Sequence, residues 1–182
     1  MSAVTRDSAL SDTYAPQLAA AERASALVNP ASGLANDYLN LFNEIVMLIE
    51  QLPVMPDLIQ DILDWHPVSY NDYFTSSTLP ERHLAIEAYA ALDKEFRTKF
   101  EAIVAELDQK AVGAVAAIRR AYKANGEVDG ALTDLCARAS ESLRKTLLKA
   151  TSLVNYGTRR SRETAQNRVD RLLVVNVRKQ AV

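Results

Sequence analysis

Three aspartates, Asp57, Asp61 and Asp64, recur at steps of four and three in the segment PDLIQDILDW, a spacing that puts them on one face of a helix. Carboxylates so arranged can ligate Mg²⁺ through oxygen and bridge it to phosphate groups, the chemistry of a metal-dependent, small-molecule-binding helical-bundle enzyme. That chemistry needs a second acidic pair on a facing helix. The candidates, Glu44 with Glu50 and Glu101 with Glu106, lack the matching spacing. A solvated acidic face is the simpler account, so no metal and no cofactor is expected. The two histidines offer less. Di-iron bundles use Glu-x-x-His, whereas Leu63 and Pro80 stand three residues before His66 and His83. His83 and Glu87, at i and i+4, make half of a metal site. The Leu-Ala-Ile-Glu that follows His83 lacks the Lys and Gly expected beside a phosphate-accepting histidine. Cys136, among Leu132, Leu135 and Ala139, reads as a small buried residue. The five glycines never cluster, which excludes a phosphate-binding loop. No residue is assigned a catalytic role.

Two stretches remain as interaction candidates. Between Trp65 and Phe74 the chain places four of its twelve aromatic residues within ten positions, in a connection rather than a core helix. Trp65, His66, Tyr70, Asp72, Tyr73 and Phe74 are therefore candidate partner- or ligand-binding residues, since aromatic rings with polar ends suit a contact surface. The competing account has the same rings packed over one end of the bundle. The second stretch is the C-terminal tail, where Arg159, Arg160, Arg162, Arg168 and Arg171 gather. Residues 158–182 hold seven basic and two acidic side chains, a net of +5, and the rest of the chain is left with −7. Such a tail can bind nucleic acid through phosphates. It can equally pair with the acidic body of its own or a neighbouring subunit.

The elements that must carry these residues are helical. Leu34, Tyr38, Leu41, Phe42, Ile45, Leu48, Ile49 and Leu52 recur at threes and fours and predict a helix over 32–52, stopped by Pro53. Pro56 opens a short helix through Trp65, with Asp57 in its first turn. Residues 66–79 read as a loop with at most one helical turn, and Pro80–Glu81 begins a helix that runs to Leu92. A long helix over 93–124 is marked by Phe96, Phe100, Ile103, Leu107, Ala111, Ala114, Ile118 and Ala121. Asn125-Gly126 ends it. The last helix, 128–156, carries Leu132, Leu135, Ala139, Leu143, Leu147, Ala150 and Val154 on one face, and Gly157 stops it. A short turn between two such helices makes them antiparallel. Acid precedes base by four residues at Glu95–Lys99, Glu106–Lys110, Asp134–Arg138 and Glu141–Lys145, the favourable orientation for exposed pairs.

The domain organisation follows: a loosely ordered N-terminal arm at 1–31, a bundle of four to five mostly antiparallel helices at 32–157, and a basic tail at 158–182. The fold class is all-α. Of the 182 residues 48% are hydrophobic and 24% charged, the balance of a globular domain, and the scarcity of glycine favours helix. The single cysteine precludes an internal disulfide, and MSAVTRDSALSDTY lacks the apolar core of a signal peptide. No apolar run is long enough to span a bilayer, so a cytoplasmic protein without membrane contact is expected.

The segments SGLANDYLNLFNEIVMLIEQLP (32–53) and MPDLIQDILDWHPVSYNDYF (55–74) resemble a family of small helical bacterial proteins, mostly alphaproteobacterial, to which no activity is assigned. The resemblance implies a cytoplasmic bacterial setting and no particular site. The function expected from the residues is that of a non-enzymatic interaction or regulatory bundle, a homodimer with a protein partner. The continuous stripe of the long helix can serve a subunit interface as well as a core.

Overall fold

The computed structural model describes residues 27–158. Among them the fold is all-α, with six helices and one isolated antiparallel bridge between Val28 and Ala35. The helices are α1 (Asn40–Gln51), α2 (Ile59–Asp64), α3 (Tyr70–Ser76), α4 (Arg82–Ala90), α5 (Lys94–Asn125) and α6 (Gly130–Tyr156). No described helix is long and apolar enough to cross a membrane.

The apolar stripes of α5 and α6 face each other. Phe96, Phe100, Leu107, Ala111, Ala114 and Ile118 are buried on α5, with Ile103 and Ala121 half-buried. Facing them on α6 are Leu132, Leu143, Leu147, Ala150 and Val154, joined by Cys136 and Leu153. Both helices start on a side-chain cap. Asp93 accepts from the amides of Glu95 and Phe96, and Asp129 accepts from that of Leu132 at 2.7 Å. Between them Gly126, at φ +74°, supplies the left-handed residue that closes α5. The pair is tied midway by one buried hydroxyl. Thr146 Oγ1, fully buried, donates to Glu106 at 2.9 Å and accepts from Lys110 Nζ at 2.7 Å. Glu106–Lys110 and Glu141–Lys145 close as ion pairs at 2.8 and 2.7 Å.

α1 lies antiparallel to α6. Asn36 Nδ2 donates to Asn155 Oδ1 at one end, and Arg144 grips both oxygens of Glu50 at 2.5 and 2.6 Å at the other. Phe42, Ile45, Val46, Leu48 and Ile49 fill the space between. The regular helix starts later than the periodicity predicts. Residues 29–34 close a tight turn, with Asn29 N–H to Leu34 O at 2.8 Å and Gly33 at φ +76°. A single 3-10 turn, Asn36–Leu39, then leads into α1.

Two further boundaries differ from expectation. α2 begins with a 3-10 turn at Pro56–Leu58 and leaves only six α-helical residues. The stretch 66–79, expected as a loop, holds the helix α3. Ser69 caps it, accepting the Asp72 amide at 3.1 Å and donating to Asp72 Oδ2 at 2.7 Å. This reciprocal Ser-x-x-acid arrangement makes a helix start out of what composition presents as a connection. It also raises the helix count from the expected four or five to six. Of the expected arm at 1–31 and tail at 158–182, only residues 27–31 and Thr158 lie within the described residues.

Candidate functional site

The aromatic segment turns inward. Tyr38, buried in the 3-10 turn before α1, stands at the centre of a ring cluster, with Tyr70 at 5.1 Å, Tyr73 at 5.7 Å, Phe42 at 5.8 Å and Phe100 at 6.1 Å between centroids. Tyr70 also stacks on Tyr89 at 4.5 Å and 18°. Three of the phenols hydrogen-bond to backbone or a carboxylate. Tyr70 Oη accepts from the Ala35 amide at 2.9 Å, Tyr38 Oη donates to Val68 O at 3.0 Å, and Tyr89 Oη donates to Glu101 at 2.8 Å. Burial pushes the Tyr70 hydroxyl up to about 12, and the Ala35 hydrogen bond only partly offsets that. Tyr70 and Phe74 are therefore core residues, and as such are not available to a partner at the surface. The reason is geometric: α3 is a helix, so residues four apart point the same way, and that way is toward Tyr38 and α5. Tyr73 and Trp65 are half-buried, and Trp65 Nε1 donates to the carbonyl of Leu41 at 3.2 Å. Asp72 is occupied at the α3 cap. Of the six residues expected at this site, Trp65 and His66 stay together at an open surface.

That surface is a groove of about 530 Å³ between α1 and α2. Leu41, Glu44 and Leu48 line it from α1. Across from them stand Asp61 and Asp64 of α2, followed by Trp65, His66 and Val68. α2 is held in place from behind, where Arg119 Nη2 of α5 donates to Leu63 O at 2.8 Å and Ile62 is fully buried. Gln60 Nε2 donates to Asp64 Oδ1 at 2.8 Å, and His66 Nδ1 lies 3.2 Å from the Asp64 carbonyl. Glu44, Asp61 and Asp64 are all exposed, so the groove has an apolar floor and an acidic rim. Asp57, third of the aspartates, is exposed and does not join the lining. Among the described residues no group of three or more His, Cys, Asp or Glu side chains is placed to hold a metal ion.

The remaining sequence candidates lie elsewhere. His83 is exposed, and its Nε2 lies 3.6 Å from Glu81. Cys136 is 1% exposed, and burial pushes its thiol up, the opposite of an activated nucleophile. Arg159, Arg160, Arg162, Arg168 and Arg171 fall outside the described residues.

The sequence presents Glu44 only as half of a metal-binding pair with Glu50, and Leu41 and Leu48 as core, so the α1 side of the groove is not recognised there as such. A signal was there. From residue 24 to residue 81 the chain has eight acidic side chains and no lysine or arginine, so α1, α2 and α3 bring no permanent cation of their own. A second open feature is a pocket against α5 lined in part by Tyr38, Glu101 and Asp108.

Compared with known proteins, the chain matches no family model, no curated protein and no solved structure.

Proposed function

We propose that this protein is a self-associating interaction module, in which the acidic groove between α1 and α2 of one copy receives the basic C-terminal segment of another. The observation that carries the reading is the groove itself: an open, apolar-floored channel rimmed by Glu44, Asp61 and Asp64, built from a segment, residues 24–81, that has no lysine or arginine of its own. A ligand for such a channel must bring cations to the rim and apolar side chains to the floor. Residues 159–182 have both, with seven Lys or Arg side chains and the run Leu172-Leu173-Val174-Val175. Opposite charges across such a contact speed encounter and fix its orientation, and the apolar floor supplies the area that holds it.

Exposed apolar side chains on α1 and α6 add to the area open to a second chain. The antiparallel register fixed by Glu50–Arg144 and Asn36–Asn155 brings Met47 of α1 and Leu148 of α6 level with each other. They are 54% and 69% exposed, too much for core residues.

Sedimentation velocity over a range of protein concentrations tests the reading. The intact chain is expected to dimerise in a salt-sensitive way. The triple variant Glu44→Lys, Asp61→Lys, Asp64→Lys is expected to remain monomeric with an unchanged helical circular-dichroism spectrum. A triple variant that dimerises as the parent does, or a parent that is monomeric at every concentration, overturns it.

A further inference from the structure

The pocket against α5 has a chemistry of its own and does not depend on the reading of the groove. It is an open pocket of about 290 Å³. Half-buried Tyr89 forms its aromatic wall, backed by the buried rings of Tyr38, Tyr70 and Phe100. Val104 and Ala105 add an aliphatic patch, and Ser69 contributes the one aliphatic hydroxyl. Two carboxylates complete it. Glu101 and Asp108 are seven residues apart on α5, two helical turns and about 10 Å, so they mark the two ends of one helix face.

The two acids are not equivalent. Glu101 is held in place, accepting from Tyr89 Oη at 2.8 Å and lying 4.0 Å from Arg97 Nε. Asp108 has no such support. Its Oδ1 is buried and has no hydrogen-bond partner among the described residues, and no lysine or arginine lines the pocket. A buried carboxylate oxygen without a donor is unusual in a folded protein and calls for a partner. Desolvation accordingly raises the Asp108 carboxyl above the ordinary range.

A largely apolar lining beside an unpaired carboxylate is the combination that recognises an organic cation. We propose that this pocket binds a small protonated amine with an aromatic or aliphatic body, its ammonium group directed to Asp108 and its body against Tyr89, Val104 and Ala105. The size agrees: a dry apolar cavity of about 150 Å³ admits benzene, so roughly twice that volume accommodates a ring with a two-carbon ammonium arm. A neutral molecule of the same shape fills the space and leaves Asp108 unpaired. An anion meets two carboxylates.

The test is calorimetric titration of the full chain with phenethylammonium, and with its neutral isostere 2-phenylethanol, up to about 10 mM, the range in which weak sites saturate. Phenethylammonium is expected to bind saturably, and 2-phenylethanol about tenfold or more weakly, because the alcohol brings no charge to the carboxylate. Asp108→Asn keeps the shape of the side chain and is expected to lose the preference for the amine. Val104→Phe fills the cavity while retaining Asp108 and is expected to abolish binding of both compounds, with the fold of each variant checked by circular dichroism. Equal affinity for amine and alcohol, an unchanged amine affinity in Asp108→Asn, or no binding at all overturns the proposal.

Discussion

Replacing Tyr70 by phenylalanine removes one oxygen from the centre of the protein and isolates a single effect. The Tyr70 hydroxyl accepts the amide proton of Ala35 at 2.9 Å, across 35 residues of sequence. Tyr70 is 4% exposed and Ala35 1%, so water does not replace the lost acceptor. A buried amide left without a partner costs about 1–3 kcal/mol, against a neutral outcome had both groups been removed together. The ring itself stays, and with it the 4.5 Å stack on Tyr89 and the contacts to Tyr38 and Phe74. We therefore expect Tyr70→Phe to destabilise the protein by about 2 kcal/mol, equivalent to a fall in Tm of about 4–8 °C for a chain of this size. Urea unfolding followed by far-ultraviolet circular dichroism measures it. Tyr156→Phe, at an exposed tyrosine near the end of α6, is the control and should stay within about 0.5 kcal/mol of the parent. A Tyr70→Phe variant as stable as this control would refute the assignment of Tyr70 to the core rather than to a contact surface.

Three other outcomes are expected. Arg144→Ala should cost only about 0.5–1 kcal/mol despite its two-pronged grip on Glu50, because the arginine is 56% exposed and solvent screens the pair. The Arg144 hydrogen bond holds the Glu50 carboxyl below its ordinary range, so its contribution is present at neutral pH and lost as pH falls through that lowered value. The difference between parent and variant should accordingly vanish in acid urea melts. Glu81 precedes α4 at φ 60°, ψ 19°, a left-handed conformation that costs an L-residue about 1 kcal/mol or more, so Glu81→Gly should raise stability by about 0.5–1 kcal/mol in the same melts. Cys136 is buried with a raised thiol, so its reaction with a disulfide reagent should be slow in native protein. Added urea should speed the reaction only in step with unfolding.

The parts of the fold that were legible in the sequence are those where one physical signal dominates. α5 and α6 carry long stripes at helical spacing, end on Gly126 and Gly157, and start from aspartate caps, so their limits fall within about two residues of expectation. Where two signals compete, composition misleads. Residues 66–79 look like a loop because Pro67, Ser69, Asn71 and Ser76 are poor helix formers. The Ser69–Asp72 cap nevertheless nucleates α3, and the burial of Tyr70 and Phe74 stabilises it. The same competition governs the candidate site. Aromatic density alone marks a cluster without telling which way it faces, and the four-residue step from Tyr70 to Phe74 directs it into the core. The groove was half visible, in Asp61, Asp64, Trp65 and His66. Its other wall was hidden because core packing accounts for Leu41 and Leu48, and Glu44, weighed only for metal spacing, looks like any solvated acid. Asp108 gave no signal at all, since one acid in a charged helix looks solvated until its neighbours are placed.

If the groove of one copy takes the basic segment of another, two chains that each lack one half of the contact should complement each other. Two variants are prepared: the triple charge reversal at Glu44, Asp61 and Asp64, which keeps the basic segment, and a chain lacking residues 159–182, which keeps the groove. Each alone should sediment as a monomer, because each lacks one half of the contact. Mixed in equal amounts they should form a one-to-one heterodimer that dissociates as salt is raised. A mixture that stays monomeric while the parent dimerises would contradict the account.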